Sequence, residues 1–213
     1  MTLAHALVYV IDDEMPMRKA IGRLLESEGY SVEIFPGARE FLARSLHGGP
    51  SCVVVDLNMP ELNGLELQQA LADSDRVEQL IFITGGASVA TCVQAMKSGA
   101  IDYLSKAFRD EDLLSAVKQA LGRASEQRLK SSQRKEVRAR LETLTPREFD
   151  VLKLVISGML NKQIAGRFGT TEGTIKVHRG RVMEKMGVRS VAELVVLAQR
   201  AGIASESADS TKV

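Results

Sequence analysis

The first part of the chain alternates short apolar runs with longer amphipathic segments. The apolar runs predict five β-strands, at Leu7–Ile11, Ser31–Phe35, Cys52–Asp56, Leu80–Ile83 and Tyr103–Ser105. The run VVVD, which ends in Asp56, has no polar alternation and is typical of a strand covered on both faces in a parallel sheet. Leu113, Val117 and Leu121 have helical spacing. The alternation predicts an α/β doubly wound, flavodoxin-like domain with five parallel strands over residues 1–122.

The pattern changes after residue 122. Residues 123–142, RASEQRLKSSQRKEVRARLE, contain few large apolar side chains and neither proline nor glycine, which predicts a solvated helical linker. Residues 143–204 predict an all-α, four-helix domain that contains a helix-turn-helix. Residues 205–213 are mostly small or polar and predict a disordered tail.

Local capping signals place the helices of the second domain. Two capping boxes, Thr145–Glu148 and Ser190–Glu193, predict the starts of its first and last helices, with Pro146 at a first helical position. Two further helices are predicted between them: Asn161–Phe168, closed by Gly169, and Glu172 to about Lys185, capped by Thr171.

The formal net charge of +1 conceals a difference between the two parts of the chain. Residues 1–122 hold 10 basic and 17 acidic side chains, whereas the remainder holds 18 basic and 10 acidic ones. This asymmetry favours contact with nucleic acid by the C-terminal part, with solubilising surface charge as the alternative. Two cysteines, no signal-peptide pattern and no membrane-length apolar run predict a cytoplasmic protein without a membrane partner.

Polar side chains end four of the five predicted strands. Asp12 and Asp13 follow the first strand, Asp56 ends the third, and Thr84 and Lys106 follow the fourth and fifth. Each alone is more typical of a turn or a cap, but in a parallel sheet these ends meet at one edge, where ligands bind. Three carboxylates there require a cation, and oxygen ligands without His or Cys favour Mg²⁺. With an ammonium and a hydroxyl beside them, they predict a carboxylate that accepts a phosphoryl group.

The helix predicted from Glu172 has an unusual exposed face. At about 100° per residue, Ile175, Val182 and Met186 share the face expected to pack on other helices. The opposite face carries a glutamate, a valine and two glycines: Glu184, Val177, Gly173 and Gly180. A face thinned by glycine and flanked by basic residues predicts close approach to a DNA major groove; an amphipathic surface helix with tolerated glycines is the alternative.

Individual DNA contacts follow from positions on this helix. Val177 is expected to touch a thymine methyl group and Lys176 a guanine edge. Arg181 and Arg179 are expected to reach phosphates.

Several segments together resemble a known family. VIDDE, VVVDLNMPELNGLEL, IFITG, AMKSGAIDYLSKAF, LTPREFDVLKLVISGMLNKQIA and TIKVHRGRVMEKM are similar to response regulators of the FixJ/NarL group, which join a receiver domain to a LuxR-type helix-turn-helix. The resemblance implies these roles: Asp56 as phosphoacceptor and metal ligand, Asp12, Asp13 and the Asn58 carbonyl as further Mg²⁺ ligands, Thr84 and Tyr103 as the switch pair, and Lys106 as the phosphate contact. It also supports Lys176 and Val177 as base readers, with Thr174 bonding a phosphate.

The same resemblance implies a phosphorylation-gated transcriptional regulator of a two-component system. A sensor histidine kinase is the expected donor, and double-stranded DNA with promoter half-sites is the expected target. Phosphorylation is expected to drive homodimerisation through the face around the fourth helix and fifth strand, and the last helix, Ser190–Ala201, is a second dimer contact. Activation, with RNA polymerase as a further partner, is the expected outcome, and no turnover of an external substrate is expected.

One residue departs from the family pattern. Ala107 follows Lys106 where the family has a proline after a cis peptide bond, and a cis bond before alanine costs about 2.5–4 kcal/mol. Either the bond stays cis under strain, or it is trans and the loop is rebuilt. We expect a working but perturbed site in which Ala107→Pro stabilises the domain.

Three other interpretations stay open. The first is a phosphate-independent DNA-binding regulator with a degenerate receiver, which only Ala107 favours. The second is an aspartate-nucleophile phosphohydrolase, although Asn58 occupies the position where such enzymes carry a second aspartate. The third is a protein-interaction receiver whose basic domain binds RNA or a membrane, against which a helix-turn-helix without an aromatic stacking platform counts.

Overall fold

The computed structural model of the protein describes residues 6–203, apart from residues 75, 77 and 87. The chain divides into two compact units between Leu129 and Lys130. This division falls inside the predicted linker, residues 123–142, so the predicted domain limits stay predictions. The predicted tail, residues 205–213, lies outside the described residues.

The first unit is built on one parallel sheet. Its strands are β1 (Leu7–Ile11), β2 (Ser31–Phe35), β3 (Ser51–Asp56), β4 (Gln79–Thr84) and β5 (Asp102–Ser105). All neighbouring pairs are parallel, in the order β2-β1-β3-β4-β5, which confirms the predicted doubly wound sheet. The predicted ends agree to within one residue, because each apolar run stops abruptly at polar residues.

Helices cover both faces of this sheet. They are α1 (Met15–Ser27), α2 (Ala38–Ala43), α3 (Gly64–Ala72), α4 (Val89–Lys97) and α5 (Asp110–Glu142). Within β1, Val8 and Val10 join the apolar layer that contains α1 and α5, whereas Tyr9 and Ile11 join the layer that contains α2, α3 and α4. Since β1 and β3 are buried along their whole length, their polar groups can meet ligands only at the strand ends.

The helix α5 is continuous over 33 residues. It includes the predicted linker, residues 123–142, and passes through Gly122 without a break. One glycine in a helix costs about 1 kcal/mol relative to alanine, which is too little to end a helix whose first turns are packed. No helix in the described part of the chain, α5 included, is both long enough and apolar enough to cross a membrane.

The second unit is helical, as predicted. After the end of α5 it contains α6 (Pro146–Ile156), α7 (Asn161–Phe168), α8 (Glu172–Met186) and α9 (Val191–Arg200). The side chains of Thr145, Thr171 and Ser190 cap α6, α8 and α9, each by accepting a backbone N–H three residues on. Gly169 ends α7 at φ 61°, in the left-handed region that glycine adopts without strain.

The predicted buried face of α8 packs into the core of this unit. Ile175, Val182 and Met186 are fully buried, together with Leu152 of α6 and Ile164 of α7. The core therefore fixes the rotation of α8 about its axis and decides which of its residues remain exposed.

A partly buried ion pair joins α8 to the start of α6. Lys185 Nζ donates to Glu148 Oε2 at 2.6 Å, and the side chain of Glu148 is only 3% exposed. The Lys185 ammonium, followed by the backbone N–H of Thr145, lowers the pKa of the Glu148 carboxyl to about 2 although burial opposes this. A depressed pKa contributes stability above the ordinary value of 4.5, and this contribution is lost as the pH falls toward 2.

We expect Lys185→Met to lower the unfolding free energy of the second unit by about 2–3 kcal/mol at pH 7, because Glu148 stays buried without its partner. The variant should also lose less stability than the wild type between pH 4.5 and pH 2, since the pKa of Glu148 moves back toward its ordinary value. Urea unfolding of the full chain, followed by circular dichroism at several pH values, measures both effects.

Lys162→Met is the matched control, because Lys162 is an exposed lysine of α7. It should change the unfolding free energy by less than about 0.5 kcal/mol. An unchanged acid dependence in Lys185→Met would contradict the assignment of the Glu148 pKa to this pair.

Candidate functional site

Three carboxylates lie at the carboxyl ends of β1 and β3. These strands are neighbours at the point where the strand order reverses, which brings Asp12 and Asp13 beside Asp56. Asp12 is fully buried, Asp56 is 3% exposed and Asp13 faces solvent. One oxygen from each of the three lies within 4.8 Å of the others. The predicted acidic cluster is therefore present at the predicted edge.

Lys106 supplies the positive charge of this cluster. Its Nζ lies 2.9 Å from Asp56 Oδ2, 3.1 Å from Asp12 Oδ2 and 2.6 Å from Glu14 Oε1. The backbone N–H of Lys106 donates to the carbonyl of Thr84 at 2.7 Å, which extends the pairing of β4 with β5. Burial works against the charged ammonium, but the neighbouring carboxylates of Glu14, Asp56 and Asp12 outweigh it and raise the pKa of Lys106.

Asp12 is the most deeply buried of the three carboxylates. Burial raises its pKa, although Lys106 and the backbone N–H of Glu14 oppose the shift. Its Oδ2 atom is buried and accepts no hydrogen bond of normal geometry from the described residues. A buried carboxylate oxygen in this state, within an all-oxygen donor set, fits a hard divalent cation such as Mg²⁺.

Asn58 and Thr84 lie beside the phosphoacceptor candidate. The backbone N–H of Asn58 donates to Asp56 Oδ1 at 3.2 Å, and its side-chain amide donates to Thr84 Oγ1 at 3.5 Å. The N–H of Gly86 also donates to that hydroxyl, at 3.3 Å. Tyr103, the other half of the predicted switch pair, has a pKa raised by burial and partly offset by the neighbouring Thr84.

The backbone after Lys106 resolves one of the two alternatives for Ala107. No peptide bond among the described residues is cis, so a retained cis bond at this position is wrong. Phe108 N–H donates to the Ser105 carbonyl at 2.8 Å, and Ala107 N–H donates to Ser105 Oγ at 3.3 Å. Since proline has no N–H to donate, the expected stabilisation by Ala107→Pro loses its basis. The rebuilt loop still directs Lys106 to the acidic cluster.

The exposed face of α8 carries most of the residues predicted to contact DNA. Thr174, Lys176, Val177 and Arg181 are exposed, and Val177 retains 55% of its accessible surface. No described hydrogen bond or ion pair occupies the side chains of Lys176 or Arg181 in residues 6–203. An exposed valine between unpaired cations is consistent with a surface that meets a nucleic acid.

Arg179 differs from the other predicted contacts. Its guanidinium is half-buried and donates to Asn161 Oδ1 at the start of α7, at 3.0 Å. This bond ties the two helices of the helix-turn-helix together. A phosphate contact by Arg179 stays a prediction, and the geometry adds a structural role that sequence spacing did not reveal.

The fold and the two sites define a class of protein, in which an α/β unit with an acidic strand-end cluster is joined to a helix-turn-helix unit. Residues 8–118 match the response regulator receiver domain, and residues 142–198 match the luxR family of bacterial regulatory proteins. The chain therefore belongs to the response regulators that carry a LuxR-type DNA-binding domain, which are transcriptional regulators of two-component systems. This confirms the resemblance found in the sequence.

Similar proteins extend over nearly the whole chain. Nodulation protein W of Bradyrhizobium diazoefficiens is 40% identical over 208 residues, which are 98% of this chain and 92% of that protein. The transcriptional regulatory protein FixJ of the same species is 37% identical over 199 residues, 93% of this chain and 97% of that protein. The solved structure of the response regulator StyR has a TM-score of 0.82 at 39% identity, and covers 92% of this chain and 99% of its own.

Sequence analysis missed two contacts that shape the cluster. Glu14 makes the shortest contact to Lys106, and its only sequence signal is its place directly after the Asp12–Asp13 pair. Gly64 packs under the end of β3: a Cβ there would lie 2.9 Å from both the Asp56 carbonyl and Phe82 Cε1. A glycine at the start of a helix, shortly after a strand-end aspartate, is its only signal.

We expect Gly64→Ala to lower the unfolding free energy of the first unit by about 1–3 kcal/mol, because the methyl group forces backbone or ring atoms apart. The strain falls on the carbonyl of Asp56, so the variant should also weaken any binding of Mg²⁺ by the acidic cluster. Thermal unfolding and isothermal titration of the full chain with Mg²⁺ measure the two effects.

Gly122→Ala is the matched control, since an added Cβ at this position of α5 meets no atom within 4 Å. It should stabilise the protein by up to about 1 kcal/mol and leave Mg²⁺ binding unchanged. Equal stability of the two alanine variants would show that the close approach at Gly64 is unimportant.

Proposed function

We propose that Asp56 accepts a phosphoryl group from a sensor histidine kinase and that this modification gates DNA binding by the second unit. The supporting observation is the cluster at the strand ends, in which Asp56 lies 2.9 Å from the Lys106 ammonium and beside two further carboxylates. A nearly buried carboxylate with an ammonium and a hydroxyl beside it has what a phosphoryl acceptor requires. The histidine kinase as donor and the transfer of the phosphoryl group are both part of this proposal.

Mg²⁺ is the proposed cofactor. Asp12, Asp13 and Asp56 would hold it, with the carbonyl of Asn58 as a further ligand. When bound, the ion would neutralise charge that builds up on the transferring phosphoryl group. The fit rests on the buried Oδ2 atom of Asp12, which lies 3.1 Å from Lys106 Nζ but accepts no hydrogen bond of normal geometry, and on the all-oxygen donor set that the described residues form.

The chain's own groups have separate roles in the transfer. An oxygen of Asp56 attacks the phosphorus atom, and the bond from phosphorus to the donor breaks. Lys106 contacts a phosphoryl oxygen, and Thr84 offers its hydroxyl to the same group. Movement of Thr84 leaves room for Tyr103 to change its position, and this pair would pass the change to the face formed by α4 and β5.

The second unit is the proposed output. Two copies would bind promoter half-sites on double-stranded DNA, with Lys176 and Val177 at base edges and Thr174, Arg179 and Arg181 at phosphates. Homodimerisation on phosphorylation, transcriptional activation through RNA polymerase, and a cytoplasmic location complete the proposal. No turnover of an external substrate is proposed.

The phosphate-independent alternative is less well supported. It depended on Ala107 displacing Lys106, but the ammonium lies 2.9 Å from Asp56 although the peptide bond before Ala107 is trans. The electrostatic partner that phosphoryl acceptance needs is therefore retained.

With Mg²⁺ and beryllofluoride, which stands in for a phosphoryl group on aspartate, we expect the full chain to change from monomer to dimer. Asp56→Asn should stay monomeric, because the group that beryllofluoride joins is gone. Light scattering gives the mass. An unresponsive wild type that still binds DNA would favour the phosphate-independent alternative.

We expect Lys176→Ala to weaken specific DNA binding roughly 10–100-fold and to relax base preference at one position of each half-site. Arg181→Ala should weaken binding to all sequences alike and reduce the salt dependence by about one counterion. Fluorescence anisotropy over a range of salt concentrations, with a library of operator variants, separates the two effects. Lys19→Ala, an exposed lysine of α1, should leave both unchanged.

A further inference from the structure

Glu14 has an unusual role for a residue at the start of a helix. It occupies the N-cap position of α1, but its side chain makes no capping hydrogen bond. The carboxylate instead reaches Lys106, 92 residues further along the chain, and accepts from Nζ at 2.6 Å. This is the shortest of the three carboxylate contacts that Lys106 makes. The side chain is thus directed toward the phosphoacceptor cluster and away from its own helix.

The ammonium of Lys106 is surrounded by carboxylates. Oxygens of Asp12, Glu14 and Asp56 lie within 3.1 Å of Nζ, and among the described hydrogen bonds Nζ donates to Glu14 Oε1. A phosphoryl oxygen that binds Lys106 must therefore compete with these carboxylates, and above all with Glu14.

Glu14 is the partner that can leave. Asp12 is fully buried, and its Oδ1 atom is held by the backbone N–H of Glu14 at 2.7 Å. Asp56 is the acceptor itself and stays in the cluster. The side chain of Glu14 is 62% exposed, so its carboxylate is already largely hydrated and can leave Lys106 at a low cost in free energy.

We propose that Glu14 is an internal competitor for Lys106, which holds the ammonium in the unphosphorylated protein and must release it before Lys106 can contact a phosphoryl group on Asp56. The inference rests on the proposed role of Asp56 and assigns to Glu14 a positioning role that acts through Lys106. Glu14 also adds a fourth negative charge near Asp56, so it disfavours the approach of small anionic phosphoryl donors.

The test uses full-length protein, Mg²⁺ and acetyl phosphate. An oxygen of Asp56 bonds to phosphorus, the bond from phosphorus to the acetyl oxygen breaks, and acetate leaves. We expect Glu14→Gln, which keeps the size of the side chain and removes its charge, to be phosphorylated roughly three- to tenfold faster than wild type. Beryllofluoride should saturate it at a correspondingly lower concentration. Intact-mass spectrometry follows the phosphorylated fraction.

Two variants distinguish the contact between Glu14 and Lys106 from the effect of net charge near Asp56. Glu14→Asp keeps the charge but is one methylene shorter, so a faster rate here would assign the effect to the contact with Lys106. Glu61→Gln removes an exposed carboxylate that pairs with Arg39 in the loop after Asp56, and its rate should match the wild type. An effect of Glu61→Gln equal to that of Glu14→Gln would overturn the inference in favour of net charge alone.

A second measurement does not depend on phosphorylation. In metal-free protein with ¹³C-labelled lysine, the Cε resonance of Lys106, assigned by its loss in Lys106→Arg, should shift in Glu14→Gln and stay in place in Glu61→Gln. If wild type accepts a phosphoryl group but Glu14→Gln is no faster, the competitor role is wrong and the proposed function stands. If wild type takes up neither acetyl phosphate nor beryllofluoride and the resonance still shifts, the contact is real and the proposed role of Asp56 as phosphoryl acceptor fails.

Discussion

The first unit depends on the neutralisation of its clustered carboxylates by Lys106. Asp12 and Asp56 are almost completely removed from water, and two like charges in such a place repel strongly. The sheet order places these two carboxylates side by side, because β1 and β3 are neighbours, Asp12 directly follows β1 and Asp56 ends β3. The compensating charge comes from β5, two strands away from β3, so the position of Lys106 depends on the register of β4 with both neighbours.

Much of the fold follows from local signals in the sequence. The strands were predictable because a buried parallel strand is a continuous apolar run, and such a run ends where the chain leaves the core. The starts of α6, α8 and α9 were predictable because a capping side chain acts within three residues. The continuity of α5 was not predictable from local signals. The change in composition after Gly122 marks the point where the helix loses its buried face, but the helix itself continues.

The sites were predictable in part. Asp12, Asp13, Asp56, Thr84 and Lys106 could be brought together because the sheet rule places all strand ends on one edge. The contact of Glu14 with Lys106 and the bond from Arg179 to Asn161 were not predictable, because they depend on side-chain reach between distant segments. The conformation after Lys106 was a choice between two alternatives, and the hydrogen bonds of Ser105 in the turn favour the trans form.

The proposed switch requires an exchange of partners at Lys106. Its ammonium lies within 3.1 Å of three carboxylates, whereas the Thr84 hydroxyl accepts from Asn58 and from the backbone of Gly86 and can still donate its own proton. A phosphoryl group on Asp56 gains Lys106 only as the ammonium gives up one of its contacts, so the net free energy is a difference between two sets of similar contacts. A small difference shifts an equilibrium between existing states and does not create a new one. In the proposed switch, some output without phosphorylation is therefore expected, since the contacts without phosphate would hold one arrangement only by that margin.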